Sequence, residues 1–138
     1  MSAGTYVPQP EWLILDWHRA SIAAGSLCVQ RCAACGCWRQ PPRRFCAACG
    51  SDDARFDPVA GRGRVLSFVV SHRSLDPVWA ESAPFATLVV ELEEGPRVVA
   101  ATALTPDEVA IGLPIQVRLE PRGDDFALVW ADAAGADP

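Results

Sequence analysis

The stretch from Cys28 to Gly50, CVQRCAACGCWRQPPRRFCAACG, holds all six cysteines of this 138-residue chain and limits its folding choices more than any other segment. Four of the cysteines form two Cys-x-x-Cys pairs, Cys32/Cys35 and Cys46/Cys49, with ten residues between the pairs. A glycine follows each pair, Gly36 and Gly50, where freedom at positive φ allows a tight turn that aims backbone N–H groups at the thiolate sulfurs. Doubled pairs are the pattern of a zinc ribbon. Four thiolates close a tetrahedral shell around Zn²⁺ and leave no position for water or substrate, so the ion's expected role is structural. Iron fits the same donor set and stays open as the ion.

Two other uses of cysteine compete with metal binding. A disulfide framework needs an oxidising compartment, yet the N-terminus MSAGTYVPQPEW has no basic segment leading into an apolar core, so no secretory signal is visible. A redox motif would be one pair in a βαβ setting, not two pairs. Cys28 sits between Leu27 and Val29 and reads as a buried free thiol, and Cys37 as a spare close to the first pair; neither is expected to be a ligand. With reduced thiols and no apolar run near the ~18 residues of a membrane span, a soluble cytoplasmic protein without a membrane partner is expected.

Charge is unevenly placed on a net of −5. Residues 28–50 carry Arg31, Arg39, Arg43 and Arg44 and no acid, whereas residues 51–138 carry seven arginines against fifteen acids. An acidic body argues against a chain that holds a nucleic-acid backbone, where affinity comes from neutralising phosphates. The ribbon arginines Arg39, Arg43 and Arg44 are candidates for the phosphates of a nucleotide-bearing ligand such as coenzyme A, or else a solvated face.

Residues 1–26 read as an unstructured lead followed by an amphipathic α-helix, with Pro10 at the first helical turn and Gly25 as the stop. By helical spacing Leu13, Trp17, Ala20 and Ala24 share one face, and Trp12, Leu15, Ile22 and Ala23 make a second. A helix apolar on two sides needs cover on two sides. A partner protein over part of it is the expectation, with Trp12, Leu13, Leu15 and Trp17 as the binding residues. His18 has no ligand companion nearby and reads as a surface or interface residue.

Residues 27–52 form the expected ribbon, with Trp38 and Phe45 packing across the metal knuckles and a connector to Gly61 as the boundary. From Gly61 the pattern changes to strands. Leu66, Phe68 and Val70 alternate, then Ala86, Leu88, Val90 and Leu92, then the run RVVAATAL, then Ile115, Val117 and Leu119, then FALVW. Between the third and fourth, Thr105-Pro106-Asp107-Glu108 has the residues of a capping box. Five strands with a helical turn in that place are the order of an OB-fold barrel, expected over 53–131 with a disordered tail over 132–138. The fold class expected is thus mainly β: helix, ribbon, barrel.

No catalytic constellation stands out, and none is assigned. His72 has Ser71, Arg73 and Asp76 near it in sequence, which is not triad geometry. The loop SLDPVWAESAP lies between the first two barrel strands, at a rim where OB-folds bind ligands, and places Trp79 to stack on a ligand or to cap the barrel.

The joined patterns QRCAACG, PPRRFCAACG and GRGRVLS, with PFATLVVELEEGPRVVA and VAIGLPIQVRLEP after them, resemble the DUF35 family. The resemblance runs from about Trp12 to about Trp130 and implies a rubredoxin-like zinc ribbon fused to an acyl-CoA-associated OB-fold. It implies zinc on Cys32, Cys35, Cys46 and Cys49. It further implies the small, non-catalytic subunit of a thiolase-like enzyme of the lipid-transfer-protein type, two of each in a heterotetramer, acting on acyl-CoA esters and including retro-aldol cleavage of a steroid side-chain CoA ester. Thiolases, HMG-CoA synthases and enoyl-CoA hydratases are the alternative partners; a single-stranded nucleic-acid module is the alternative class. Cys37 departs from the family's polar residue after the knuckle glycine, and the Trp79 loop follows no family motif.

Overall fold

The computed structural model describes residues 7–135; the ends of the expected lead and tail lie outside them. Helix α1 spans Trp12–Ala24 and stops at Gly25, which takes the left-handed conformation at φ 67° and donates its N–H to Ile22. Pro10 precedes the helix, and Glu11 is its N-cap without a side-chain hydrogen bond. The inward face differs from the expected one. Its buried members are His18 and Ser21, while Ala23 and Ala24 are exposed.

The reason is that α1 is held largely by polar bonds, which an apolar periodicity cannot register. Trp17 Nε1 donates to the Cys28 carbonyl at 2.6 Å, Ser21 Oγ accepts from the Cys28 N–H at 3.0 Å, and His18 Nδ1 accepts from the Ala127 N–H at 3.1 Å. The first two bonds reach the ribbon and the third reaches the barrel. His18, expected at the surface, instead packs between the rings of Trp17 and Phe126, with centroids at 4.9 and 4.8 Å.

The ribbon sheet consists of β1 (Cys28–Cys32), β2 (Trp38–Arg39) and β3 (Ala54–Pro58), in the order β2-β1-β3 and antiparallel throughout. Strand β3 is the segment expected to open the barrel side of the chain. It hydrogen-bonds along the whole of β1, from Cys32 opposite Ala54 to Cys28 opposite Pro58, so it completes the ribbon. Trp38 packs against the core from β2, whereas Phe45 is 58% exposed and does not cross the knuckles.

The barrel strands are β4 (Arg62–Ser71), β5 (Phe85–Leu92), β6 (Arg97–Ala101), β7 (Pro114–Pro121) and β8 (Ala127–Ala133). They close in the order β4-β5-β6-β8-β7, an OB-fold, with a 3₁₀ turn at Pro106–Glu108 between β6 and β7. Thr105 makes no side-chain capping bond there, so the expected capping box is not formed. Strand β5 alternates as read, with Ala86, Leu88, Val90 and Leu92 all buried. Strand β4 keeps Phe68 and Val70 on the inward face as read, opposite Leu88 and Ala86, but a bulge between Val65 and Ser67 shifts the register so that Val65, not Leu66, is the buried residue ahead of them. Strand β8 continues past the expected start of the tail: Asp132 pairs with Gln116, and its carboxylate accepts from Arg118 at 2.7 Å. Leu27 and Val29 from the ribbon join Val59 and the barrel interior in one core cluster.

Two outcomes test this packing. A Cβ at Gly63 would overlap the Glu91 carbonyl oxygen and lie 2.9 Å from Val90 Cγ1. Gly63→Ala should therefore destabilise the chain by about 1–3 kcal/mol in urea titration. Burial pushes His18 below its ordinary pKa of 6.5, so the unfolded chain takes up this proton first as pH falls. Its contribution is complete above about pH 6.5 and is lost as pH drops through the lowered folded value. Denaturation midpoints should fall between about pH 7 and about pH 5.5, and His18→Gln should flatten that slope.

Candidate functional site

The two knuckles are built alike. Gly36 and Gly50 lie at φ 79° and 78°, and donate their N–H groups to the carbonyls of Cys32 and Cys46 at 2.9 and 2.8 Å. The Cys35 N–H points at the Cys32 sulfur at 3.5 Å. The Sγ atoms of Cys32, Cys35, Cys46 and Cys49 all lie within 4.8 Å of one another, and the cross-knuckle pairs Cys32/Cys49 and Cys35/Cys46 are 3.6 Å apart. Disulfide sulfurs would be ~2.05 Å apart, which excludes that bond here. A tetrahedron with metal–sulfur bonds of about 2.3 Å has edges of roughly 3.8 Å, close to the observed spacing. These four cysteines are thus positioned to bind a metal ion, and they leave no protein-free vertex. Cys28 is buried, with its thiol 3.8 Å from the Ala20 carbonyl, and Cys37 is exposed; neither is part of the group.

The thiols divide into two kinds. The Cys35 N–H, with help from Ala34, holds the Cys32 thiol down to about 6, and the Cys49 N–H likewise lowers Cys46. Cys35 is pushed up to about 12: its largest influence, the Cys37 N–H, lowers it, but hydrogen bonds with the Cys37 and Cys46 thiols and burial together outweigh that. Cys49 is raised as well: the Ser51 N–H lowers it, but hydrogen bonding with the Cys32 thiol and burial outweigh that, so a metal ion would take the place of protons on both Cys35 and Cys49.

Of the residues expected to meet a partner or ligand, Trp17 and Trp79 fall on one groove and Arg39 and Arg43 on another, while Trp12, Leu13, Leu15 and Arg44 line neither. Trp12 is 85% exposed and takes φ 57°, a left-handed conformation that is strained for so bulky a residue. Leu13 and Leu15 are half-buried, and Trp17 turns one edge to Cys28. Trp17 also lines a groove of about 420 Å³, together with His18, Trp79, Phe85, Phe126 and Leu128. The structure thereby brings Trp17 and Trp79, which are 62 positions apart in the chain, to one mainly apolar site.

Trp79 sits in α2 (Pro77–Ala80), a one-turn helix capped by the Asp76 carboxylate, which accepts from the Val78 N–H at 2.9 Å. Its ring stacks on Phe85 at 5.6 Å. Asp76 is thus committed to the turn and His72 is exposed, so the Ser71, His72 and Asp76 neighbours are not assembled as a triad.

A second groove, of about 450 Å³, lies between the ribbon crossing and the turn joining β5 to β6. Arg39 and Arg43 line it, and Arg97 from the barrel joins them. Arg44 does not line it; its guanidinium lies 5.7 Å from the Phe45 ring. Sequence reasoning missed Arg97, His18 and also Gln30, a buried amide whose Oε1 accepts from Arg39 Nε and the Arg43 N–H, both at 2.7 Å. Nothing local marked Gln30, since its neighbour Arg31 in the same strand is polar too.

The metal centre yields a direct test. The purified chain should carry one ion per molecule by elemental analysis, and release it as pH falls through about 6 to about 5, since each ligand must stay deprotonated. Cys46→Ser should remove most of the metal and lower the thermal midpoint by at least about 5 °C.

Comparison with known proteins adds an independent line. Residues 19–54 match the family model described as ChsH2, rubredoxin-like zinc ribbon domain, and residues 57–120 match ChsH2, C-terminal OB-fold domain. The chain is 40% identical over 90 residues to a probable enoyl-CoA hydratase alpha subunit of Thermomonospora curvata, covering 64% of this chain and 28% of that protein. It is 36% identical over 96 residues to a 3-oxo-4,17-pregnadiene-20-carboxyl-CoA hydratase alpha subunit of Mycobacterium tuberculosis, covering 69% of this chain and 30% of that protein. The chain therefore spans less than a third of the length of either curated relative. Among solved structures it resembles a chain of the Ltp2-ChsH2(DUF35) aldolase, with a TM-score of 0.80 and 32% identity over 93% of this chain and 99% of that one. Cysteine geometry, barrel topology, family models and structural match agree, and the chain belongs to the DUF35 family in its ChsH2 form, a rubredoxin-like zinc ribbon joined to an OB-fold.

Proposed function

We propose that this chain is a non-catalytic accessory subunit of a thiolase-like enzyme of the lipid-transfer-protein type, supporting chemistry on acyl-CoA esters in the cytoplasm. The observation that carries the reading is the match to the Ltp2-ChsH2(DUF35) aldolase chain over nearly its whole length. Retro-aldol cleavage of a steroid side-chain CoA ester is the favoured reaction. The steroid-type CoA substrate named for the mycobacterial hydratase relative supports that substrate class. The alternative partner is an enoyl-CoA hydratase, favoured by both curated relatives being hydratase alpha subunits.

Zinc occupies the four-cysteine site and fixes the ribbon, while the reacting acid and base belong to the partner. Several side chains that could do such work are engaged elsewhere: the four cysteines face one another around the ion's site, His18 accepts from Ala127 and Asp76 caps α2, which leaves the exposed His72 without a triad. Trp12, Leu13, Leu15 and Trp17 contact the enzyme, two of each chain form the complex, and the Trp79 loop walls the substrate entrance. A nucleic-acid role is disfavoured because Arg62, Arg64 and Arg118 on the barrel each pair with a carboxylate, at 3.2, 3.0 and 2.7 Å.

Co-expression with a thiolase-like enzyme of the lipid-transfer-protein type should give a complex that co-elutes and shows activity the enzyme alone lacks. Trp12→Ala should weaken that complex at least ~10-fold while leaving metal content and thermal midpoint unchanged. A chain that stays monomeric, leaves the enzyme's activity unaltered and retains single-stranded DNA through moderate salt would overturn the reading.

A further inference from the structure

We infer that the groove between the metal ribbon and the β5–β6 turn docks an acidic, extended peptide segment of the partner, with Arg43 and Arg97 receiving its carboxylates. The inference rests on the accessory-subunit reading for the identity of the partner. It rests on this chain alone for the chemistry of the segment.

The first observation is the pairing of arginines. Arg19, Arg31, Arg55, Arg62, Arg64, Arg118 and Arg122 each lie within 4.0 Å of an aspartate or glutamate. Among the described residues, Arg39, Arg43, Arg44, Arg73 and Arg97 have no such partner, and Arg39, Arg43 and Arg97 line this groove together. No acid lines it, although the chain carries more acids than bases. Glu94 stands beside the β5–β6 turn, but its carboxylate turns away to accept from the Ala60 N–H at 3.1 Å. Three cations from two separate segments thus face one cleft without a counterion from this chain. An anionic ligand supplies it.

A second observation separates a peptide from a phosphate. Arg39 Nε and Nη2 are bonded to Gln30 and to the Arg43 carbonyl, but its Nη1 is enclosed without a partner. The next residue, Gln40, also lines the groove, and its Oε1 is likewise enclosed and unpaired. One wall therefore holds an unpaired donor beside an unpaired acceptor. Enclosed polar groups left without partners are costly, so both favour a ligand that meets them. Ionised phosphate offers acceptors only and would leave the Gln40 oxygen unpaired. A peptide group offers a C=O and an N–H together, and a small rotation of either terminal group turns it to meet them. Trp38, Pro41 and the half-exposed Phe45 supply an apolar wall for alternate side chains of an extended segment.

The test uses the full metal-loaded chain with three probes: the thiolase-like partner, a fluorescein-labelled octapeptide of alternating Glu and Leu, and inorganic pyrophosphate. The wild-type chain should bind the partner and the peptide, with affinity falling several-fold between about 50 and about 300 mM salt. The double variant Arg43→Glu, Arg97→Glu should weaken both by at least ~10-fold at unchanged metal content and thermal midpoint, and Arg43→Gln with Arg97→Gln should fall between. Tight partner binding that neither variant alters would overturn the groove assignment and leave the accessory reading standing. Failure of the partner to bind, with Arg-dependent peptide binding intact, would sink the accessory reading alone. Arg-dependent binding of pyrophosphate without the peptide would overturn the inference in favour of a phosphate ligand.

Discussion

Four sulfur atoms gathered within 4.8 Å of one another set the position of everything around them in this protein. The ribbon has little else to hold it. Its second strand is two residues long, and most of the knuckle residues are exposed. A structural metal site contributes on the order of 10 kcal/mol of apparent binding free energy, more than a segment of this size obtains from burial. Strand β1 links that site to the core: it carries Cys32 at one end and the buried Cys28 and Val29 at the other. Because Val29 and Leu27 lie in the same core cluster as the barrel interior, the metal shell and the hydrophobic core are successive parts of one strand.

That strand is braced from both sides by polar contacts. On one side Gln30 gathers Arg39 and the Arg43 N–H onto a single oxygen, folding the Pro41-Pro42 crossing back over β1. On the other, α1 clasps both backbone groups of Cys28 through Trp17 and Ser21 and reaches the start of β8 through His18. Helix, ribbon and barrel are therefore tied at a few directional bonds, and a buried bond that loses one partner leaves the other unsatisfied. Under the proposed accessory role, surfaces from separate elements meet a second protein at the same time, and these few bonds set their mutual orientation.

What the sequence made legible follows from range. The four ligands could be read because their spacing is local and the chemistry of thiolates is narrow. Strand β5 could be read because one face is fully buried, which forces strict alternation from Ala86 to Leu92. The barrel's strand count and the turn before β7 were legible for the same reason. Strand β3 was not, because ARFDP is short and its apolar content low; only its pairing with β1 makes it a strand. The bulge at Val65/Ser67 reverses the faces of β4 midway, which no fixed period can anticipate. His18 was misplaced because a histidine held by a single backbone N–H from β8 looks, in sequence, like a solvated one. The second groove was half legible: Arg39 and Arg43 announce themselves by charge, but Arg97 joins them only when the barrel closes.

The two grooves differ in what they can contribute to an association. The first, walled by Trp17, Trp79 and Phe85, removes aromatic surface from water when covered, the kind of contact that governs how slowly a complex dissociates. The second concentrates cationic charge on a chain that is otherwise acidic, and unpaired charge of that kind acts at a distance, raising the encounter rate and setting orientation before any close contact forms. Under the proposed role, the arginines set among Trp38, Pro41 and Phe45 would steer while still partly hydrated, and the aromatic groove would hold. Metal binding at the four cysteines would fix the ribbon's Arg39 and Arg43 relative to the barrel's Arg97.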